Sequence, residues 1–195
     1  MFWFSGVLPD SSNEIDTKIR AIAAHLYKLY STKAPYEIYP DARQFLQNLE
    51  GKRKWFERNE IKVGVLSNYD KRIVEIADEL EVSPYFDFIV YSEECQSSKP
   101  EKAIFEAAIV KSHLKSLRPE EIVHIGDNLK KDYLAAKTMG WNALLLQRDK
   151  QAIDWFGDGP GKRYTEEVIM DDICDNFLDV ESKIFTKPWY NTLSY

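Results

Sequence analysis

The strongest constraint on the fold is an alternation, from Ile61 onward, of short apolar runs with longer amphipathic segments. The runs VGVL, FIVY, VHI and ALLL are rich in branched apolar residues and are too short to be helices, which indicates strands. The segments between them have apolar residues at helical spacing. Strands and helices that alternate in this way form right-handed crossovers on a parallel sheet buried on both faces. The sequence therefore predicts an α/β fold in three layers.

The individual elements follow from the same patterns. The predicted strands are IKVGVLSN, FDFIVYS, EIVHIGD and NALLL. The predicted helices between them are KRIVEIADEL, EKAIFEAAIVKSHL and KKDYLAAKTMG, the last ended by Gly140. Two amphipathic helices precede the first strand, over 13–30 and 41–50, with an extended connector between them. After Arg148 we predict a turn at 156–163, a helix over 168–185 and a tail at 186–195.

Composition excludes several classes of protein. The net charge of −6 and the pI near 5.2 argue against a nucleic-acid partner, because no basic excess is available to neutralise phosphates. Cys95 and Cys174 have neither zinc-site nor disulfide-framework spacing, which favours a reducing compartment. The apolar start lacks a basic flank and no segment is typical of a membrane helix, so no membrane partner is predicted. We expect a cytoplasmic protein, with the nucleus as a possible second location.

Polar residues follow three of the predicted strands at the point where each strand ends. Ser67 and Asn68 follow VGVL, Lys99 lies in the loop after FIVYS, and Asp127 follows IVHIG. Each residue alone is compatible with an ordinary turn or helix start. Together they occupy equivalent positions in consecutive strand–helix units, and ligands gather at the carboxyl ends of parallel strands. The set therefore indicates a site for an anion and a metal. His124, inside an apolar strand, is predicted to be a hydrogen-bonded core residue.

The order of these segments resembles the haloacid dehalogenase (HAD) superfamily of aspartate-nucleophile hydrolases, over about residues 40–146. VGVLSNYD resembles the second motif of that family, SSKPEKAIFEAA the third and HIGDNLKKD the fourth. The resemblance implies that Ser67, Asn68 and Lys99 bind the phosphoryl group, with Ser67 and Lys99 acting in catalysis. It further implies that Asp127 ligates Mg²⁺, and that Asp132 acts indirectly by orienting a bound water or Lys99.

The acidic pair favours one branch of the superfamily. Dehalogenases proper use no metal and typically lack an acid at the position of Asp127. A hard ion such as Mg²⁺ prefers one or two carboxylates with waters and substrate phosphate. Phosphoryl transfer needs mainly positioning and charge neutralisation, which a lysine, a hydroxyl and a metal supply. The resemblance therefore implies a magnesium-dependent phosphatase-type hydrolase that acts on a small phosphorylated substrate.

One motif of the family is missing from the sequence. The family has an Asp-x-Asp pair on its first strand, where the first Asp attacks phosphorus and the second acts as acid and base. The sequence contains no two aspartates separated by one residue, and Asp10 stands alone. In the resembled fold that strand is central, between the strand ending at Ser67 and the strand ending at Asp127. Residues 1–30 resemble the later helices of a cap domain, which predicts a partial cap at 1–36 followed by a core at 37–195 with a C-terminal extension.

Three explanations of the missing motif are compatible with the sequence. The first, which we favour, is an N-terminally truncated isoform or partial gene model of a complete hydrolase, so that this chain is catalytically incomplete. The second is a non-catalytic binding or scaffold protein that retains the fold, with a partner chain supplying the strand. The third is that residues 1–8, MFWFSGVL, fill the gap, although they provide no carboxylate.

Overall fold

The computed structural model describes residues 13–148 and 168–186. Three of the expectations above concern residues outside these ranges. They are the strand alternative at 1–8 with Asp10, the turn at 156–163, and all but the first residue of the tail at 186–195.

The described residues form eight α-helices and five strands, with short turns between them. The helices are α1 (Asn13–Leu29), α2 (Pro40–Gly51), α3 (Arg53–Arg58), α4 (Arg72–Glu79), α5 (Ser92–Cys95), α6 (Lys102–Ser112), α7 (Ala135–Thr138) and α8 (Phe177–Thr186). The strands are β1 (Gly64–Ser67), β2 (Phe88–Tyr91), β3 (Val123–Gly126), β4 (Asn142–Leu146) and β5 (Ile173–Cys174). A π-helical turn, Leu129–Leu134, leads into α7. Turns of 3₁₀ helix lie at Ser83–Tyr85, Pro119–Glu121 and Met170–Asp172.

Most of the predicted elements are confirmed, and local chemistry explains their ends. All four predicted strands are present, and α2 begins with Pro40 at its first turn, where the missing N–H of proline costs nothing. The helix after β3 ends before Gly140, whose φ of +77° is a backbone conformation that favours glycine. The prediction missed α3, because its six residues carry too short a periodic pattern to be recognised.

The prediction of one continuous helix over 168–185 is wrong. Its first part is the 3₁₀ turn and β5, and α8 begins only at Phe177. The strand forms because Ile173 and Cys174 pair in parallel with Leu145 and Leu146 of β4. Tyr133 also donates a hydrogen bond from its hydroxyl to the buried carboxylate of Asp172, at 2.8 Å. These long-range contacts override the helical spacing of the segment.

The strands form two parallel sheets, and helices pack against both faces of β4. One sheet has the order β1-β2 and the other the order β3-β4-β5. Along β4, Ala143 and Leu145 face a cluster that includes α6 and α7, and Leu144 and Leu146 face a cluster that includes α2, α3 and α8. Successive side chains of β4 thus point to opposite faces of the sheet, and helices pack on both faces. This arrangement confirms the α/β class.

The two sheets share a core although their strands do not pair with each other in the described part of the chain. The cluster beneath α6 contains Leu66 of β1, Val90 of β2 and Leu145 of β4. The ring of Phe105 on α6 lies 5.6 Å from the ring of His124 on β3. Helix α6 therefore covers both sheets, and the edges of β1 and β3 are each left without a strand partner among the described residues.

The chain divides into two compact units, Met1–Glu37 and Ile38–Tyr195. The described part of the first unit consists of α1 and the turn after it, which confirms the predicted helix over 13–30 to within one residue. The apolar residues of α1 are exposed, among them Ile15, Ile19 and Ile22. The assignment of this unit to a partial cap stays a prediction. In the ranges the structure describes, no helix combines the length and apolar character needed to cross a membrane.

Candidate functional site

Asn68, directly after β1, holds the backbone of the loop that contains Lys99. The side-chain Oδ1 of Asn68 accepts a hydrogen bond from the Lys99 N–H at 2.6 Å, and its Nδ2 donates to the Lys99 carbonyl at 2.8 Å. Ser67 is the last residue of β1 and is half-buried. The amide of Asn68 therefore ties the end of β1 to the loop after β2. A contact between Asn68 and phosphate stays a prediction.

The ammonium of Lys99 extends away from this loop to the other sheet. Its Nζ lies 2.5 Å from Oδ1 of Asp132, in the π-helical turn after β3. The side chains of Lys99 and Asp132 are only 12% and 5% exposed. Because both charges are largely removed from water, each group depends on the other for compensation.

Asp132 receives two further hydrogen bonds. His124 Nε2 lies 3.0 Å from Asp132 Oδ1, and the backbone N–H of Asn128 donates to Oδ2 at 3.0 Å. Burial raises the pKa of the Asp132 carboxyl, but the hydrogen bonds from His124 and Lys99 and the charge of Lys99 outweigh burial and lower the pKa to about 2. Asp132 is therefore ionised at neutral pH.

The approach of Asp132 to β3 requires a glycine at position 126. A Cβ atom placed on Gly126 would lie 2.2 Å from Cγ of Asp132, which is closer than two non-bonded carbon atoms can approach. The glycine before Asp127 therefore makes room for the carboxylate that pairs with Lys99.

Asp127 occupies the carboxyl end of β3 and is exposed. Among residues 13–148 and 168–186, no three or more His, Cys, Asp and Glu side chains are grouped so that they could hold a metal ion. The carboxylate of Asp132 is already bound by Lys99, His124 and Asn128. Asp127 is thus the predicted ligand that an incoming ion can reach. One protein carboxylate with waters and phosphate is a normal environment for Mg²⁺.

These contacts form one continuous network between the ends of β1 and β3. It runs from Asn68 to Lys99, from Lys99 to Asp132, and from Asp132 to the N–H of Asn128. Lys99 thereby links the two strands whose edges are unpaired in the described residues. An ammonium that is fixed near the strand ends can bind an anion, and an exposed carboxylate at the end of a strand can bind a cation.

Two members of the network carry roles that the sequence did not reveal. The clamp made by Asn68 was missed, since an Asn after a strand is typical of many turns. The prediction that His124 is a hydrogen-bonded core residue is confirmed, but its partner, Asp132, was not identified. A signal existed, because every second residue of a strand faces the same side and Gly126 and His124 therefore share a face.

Comparison with known proteins identifies the family. A sequence profile of haloacid dehalogenase-like hydrolases matches residues 5–140. The chain belongs to the haloacid dehalogenase-like hydrolase family. The match includes the three strand ends joined by Lys99, and this hydrolase fold is consistent with the parallel strands and flanking helices described above.

Relatives in other organisms agree with this assignment. The Rhythmically expressed gene 2 protein of Drosophila melanogaster is 34% identical over 181 residues, covering 92% of this chain and 66% of that protein. Haloacid dehalogenase-like hydrolase domain-containing protein 3 of Xenopus laevis is 29% identical, covering 74% of this chain and 57% of that protein. The chain thus spans between about half and two thirds of the length of these relatives.

Solved structures of the HAD superfamily share the fold. A HAD phosphatase from Thermococcus onnurineus aligns with a TM-score of 0.58 at 21% identity, covering 76% of this chain and 58% of that chain. The putative HAD-hydrolase YfnB from Bacillus subtilis, determined bound to magnesium, aligns with a TM-score of 0.55 at 16% identity, covering 75% of this chain and 54% of that chain. At these identities the similarity concerns the fold.

Proposed function

We propose that this chain forms the phosphate-binding side of a magnesium-dependent phosphatase site for small phosphorylated substrates. The observation that carries the proposal is the hydrogen-bond network through Lys99, which holds the positively charged Lys99 ammonium at the strand ends where the family motifs lie. Electrostatic stabilisation and positioning supply most of the catalysis in phosphoryl transfer. The fold shared with a HAD phosphatase and with a magnesium-bound HAD-hydrolase supports the same reaction class.

Each residue of the network has a separate task in this proposal. The Ser67 hydroxyl donates a hydrogen bond to a phosphoryl oxygen, and the Lys99 ammonium neutralises part of the phosphoryl charge. Asn68 keeps the Lys99 backbone in place through its two hydrogen bonds. Asp132 fixes the ammonium and does not itself contact a metal, because its oxygens already accept bonds from protein groups.

Asp127 is the residue that would hold magnesium. Its carboxylate is exposed at the carboxyl end of β3, where a phosphate bound by Lys99 could share the ion. When bound, magnesium supplies additional neutralisation of the phosphoryl charge.

The proposed reaction also needs a nucleophile that the sequence does not contain as an Asp-x-Asp pair. A carboxylate oxygen attacks phosphorus, the bond from phosphorus to the substrate oxygen breaks, and a second carboxyl group protonates the departing alcohol. Water then hydrolyses the acyl phosphate, releasing phosphate and regenerating the carboxylate. We place this nucleophile on a strand that pairs with the edges of β1 and β3 and is supplied either by a longer form of the protein or by a partner chain.

A non-catalytic binding protein is the second candidate function. The absence of an Asp-x-Asp pair favours it, since Lys99 and Ser67 can bind an anion without any nucleophile. In this candidate the chain binds phosphate groups, and adding a nucleophile strand produces no turnover. Turnover after adding such a strand therefore separates the two functions.

Titration calorimetry with inorganic phosphate and Mg²⁺ tests the shared phosphate site. We expect phosphate binding that Lys99→Ala weakens about tenfold, the effect of removing one charged hydrogen bond. We expect Asp127→Asn to remove the dependence of phosphate binding on Mg²⁺. Lys102→Ala is the matched control, because Lys102 is exposed, lies three residues from Lys99 and pairs with Glu106.

Ser67→Ala provides a second variant that leaves the buried ion pair intact. It should weaken phosphate binding while preserving the thermal stability of the protein. If phosphate fails to bind with or without Mg²⁺, or if the Lys102→Ala control weakens binding as much as Lys99→Ala, the proposed site is wrong.

A further inference from the structure

The side chain of His124 is held rigidly in the core between two elements. His124 lies in the middle of β3 and its side chain is 10% exposed. Its ring meets the ring of Phe105 edge-on, at 5.6 Å and 71°. The adjacent residues Val123 and Ile125 belong to the cluster on the opposite face of the sheet. Strand and packing thus fix the direction in which the imidazole points.

The proton in the contact between His124 and Asp132 must lie on the imidazole. A carboxylate has no proton to give at neutral pH, so Nε2 is the donor and Asp132 Oδ1 the acceptor, over 3.0 Å. The other oxygen, Oδ2, accepts from the backbone N–H of Asn128. Each oxygen of the carboxylate therefore has one donor from a rigid part of the fold.

These two donors determine the orientation of the carboxylate before Lys99 is considered. A carboxylate held at one oxygen can still rotate, whereas a carboxylate held at both oxygens cannot. The remaining lone pair of Oδ1 is then directed at the place that the Lys99 ammonium occupies. Lys99 has a long flexible side chain, so the position of its ammonium depends on that acceptor.

We infer that His124 is a positioning residue for Lys99, acting through its Nε2–H hydrogen bond to Asp132. The inference deepens the proposed function, since it concerns the lysine on which phosphate binding rests. It assigns His124 no contact with substrate or metal. Its effect passes from a strand residue to a carboxylate and from the carboxylate to an ammonium.

The rate at which Lys99 is acylated in the folded protein tests the inference. Limited labelling with acetic anhydride, quantified by mass spectrometry, reports how tightly the ammonium is held, with the exposed Lys102 as an internal reference. His124→Leu removes the donor, and we expect Lys99 labelling to rise about tenfold relative to Lys102, the effect of losing one hydrogen bond to a charged group.

Two further variants of His124 separate hydrogen bonding from packing. His124→Gln places an N–H donor at nearly the same distance from the backbone as Nε2, so labelling of Lys99 should return to within about twofold of the wild-type value. His124→Asn is polar but too short to reach Asp132, so it should behave like His124→Leu. If His124→Leu fails to fold, the comparison of His124→Gln with His124→Asn still tests the inference.

Phe105→Leu is the matched packing control. It replaces the ring that contacts His124 with a smaller apolar side chain and leaves the donor on β3, so it should lower the melting temperature while raising the labelling of Lys99 far less than His124→Leu does. Unchanged labelling in both His124→Leu and His124→Asn would overturn the inference, as would a Gln variant that behaves like Asn. Labelling needs neither phosphate nor turnover, so failure of phosphate binding would contradict the proposed function and leave this inference standing.

Discussion

At the scale of single residues, Asp132 decides how the site is arranged. It is buried, it compensates the charge of Lys99, and it accepts hydrogen bonds from His124 and Asn128. A buried charge pair costs much when one partner is removed, because the other charge is left without compensation. The carboxylates at 127 and 132 are therefore not equivalent, although both belong to the same sequence motif.

Replacing Asp132 should reveal this difference. We expect Asp132→Asn to lower the free energy of unfolding by about 3 kcal/mol, because Lys99 keeps its charge in a buried position. Asp127→Asn is the matched control and should change the free energy of unfolding by less than about 0.5 kcal/mol, because Asp127 is exposed. Urea denaturation measures both values. Equal effects of the two variants would contradict the assignment.

The stability of the protein should also depend on pH through Asp132. Its pKa is lowered from 3.8 to about 2 in the folded protein, so the unfolded chain binds a proton more readily. The resulting stabilisation of roughly 2 kcal/mol is present above the unfolded pKa and is lost as the pH falls through the folded pKa. Urea titrations of the wild type and Asp132→Asn at several pH values should therefore show a difference that shrinks between about pH 4 and pH 2. A difference that stays constant over that range would refute the expectation.

Gly126 provides a steric test of the same site. Gly126→Ala should destabilise the protein by about 2 kcal/mol or more, because the new Cβ would overlap the carboxylate of Asp132. Gly51→Ala is the control, since a Cβ at Gly51 meets nothing within 4 Å and alanine favours the helical conformation. Thermal denaturation of both variants gives the comparison. A Gly126→Ala protein as stable as the wild type would show that Asp132 is free to move away from β3.

At the scale of elements, the two sheet edges are the main feature. In the described residues β4 pairs on both sides, with β3 and β5, whereas β1 and β3 each pair on one side. The long-range pairing of β5 also explains why a segment with helical spacing contains a strand. For β5, pairing with β4 thus matters more than the helical spacing of its sequence.

Hydrogen exchange should show the difference between the strands. We expect the backbone amides of β4 to be the most protected, and those of β1 and β3 to exchange faster, because each has an edge without a strand partner in the described ranges. Exchange measured by NMR or mass spectrometry gives the order. Protection of β1 and β3 equal to that of β4 would indicate that another segment already fills the space between them.

At the scale of the whole molecule, the family and the reaction have different requirements. The fold, the motifs at three strand ends and the profile match establish membership of the HAD-like hydrolases. Turnover needs in addition a nucleophile, and the sequence holds no Asp-x-Asp pair. The chain spans only part of the length of its relatives, so the activity of those proteins is a proposal for this one.

The hydrolysis of para-nitrophenyl phosphate with Mg²⁺ tests the proposal at this scale. For the chain alone we expect hydrolysis at the background rate. We expect hydrolysis above background after adding a polypeptide whose sequence is an apolar strand followed by Asp-x-Asp. The same polypeptide with Asn in place of both aspartates is the control. Robust activity of the chain alone, abolished by Asp127→Asn, would show that the nucleophile lies elsewhere in the sequence.

Most of the fold could be read from the sequence, and the site only in part. The four longer strands carry patterns that are local, so they were predicted correctly, whereas β5 depends on Leu145 and Leu146 far away in the chain. The residues at strand ends were identified because parallel topology places them on one edge. Their partners were not, since a hydrogen bond such as that from Asn68 to the backbone of Lys99 joins distant parts of the chain.

By itself, the sequence determined the α/β class, the order of the motifs and the absence of an Asp-x-Asp pair, because each is a property of neighbouring residues. Only the tertiary structure decided which groups touch. It paired the Lys99 ammonium with the Asp132 carboxylate, gave that carboxylate a further hydrogen-bond donor in His124, and left Asp127 exposed. The physical reason is that burial and hydrogen bonding depend on the distances between elements, and those distances exist only once the chain is folded.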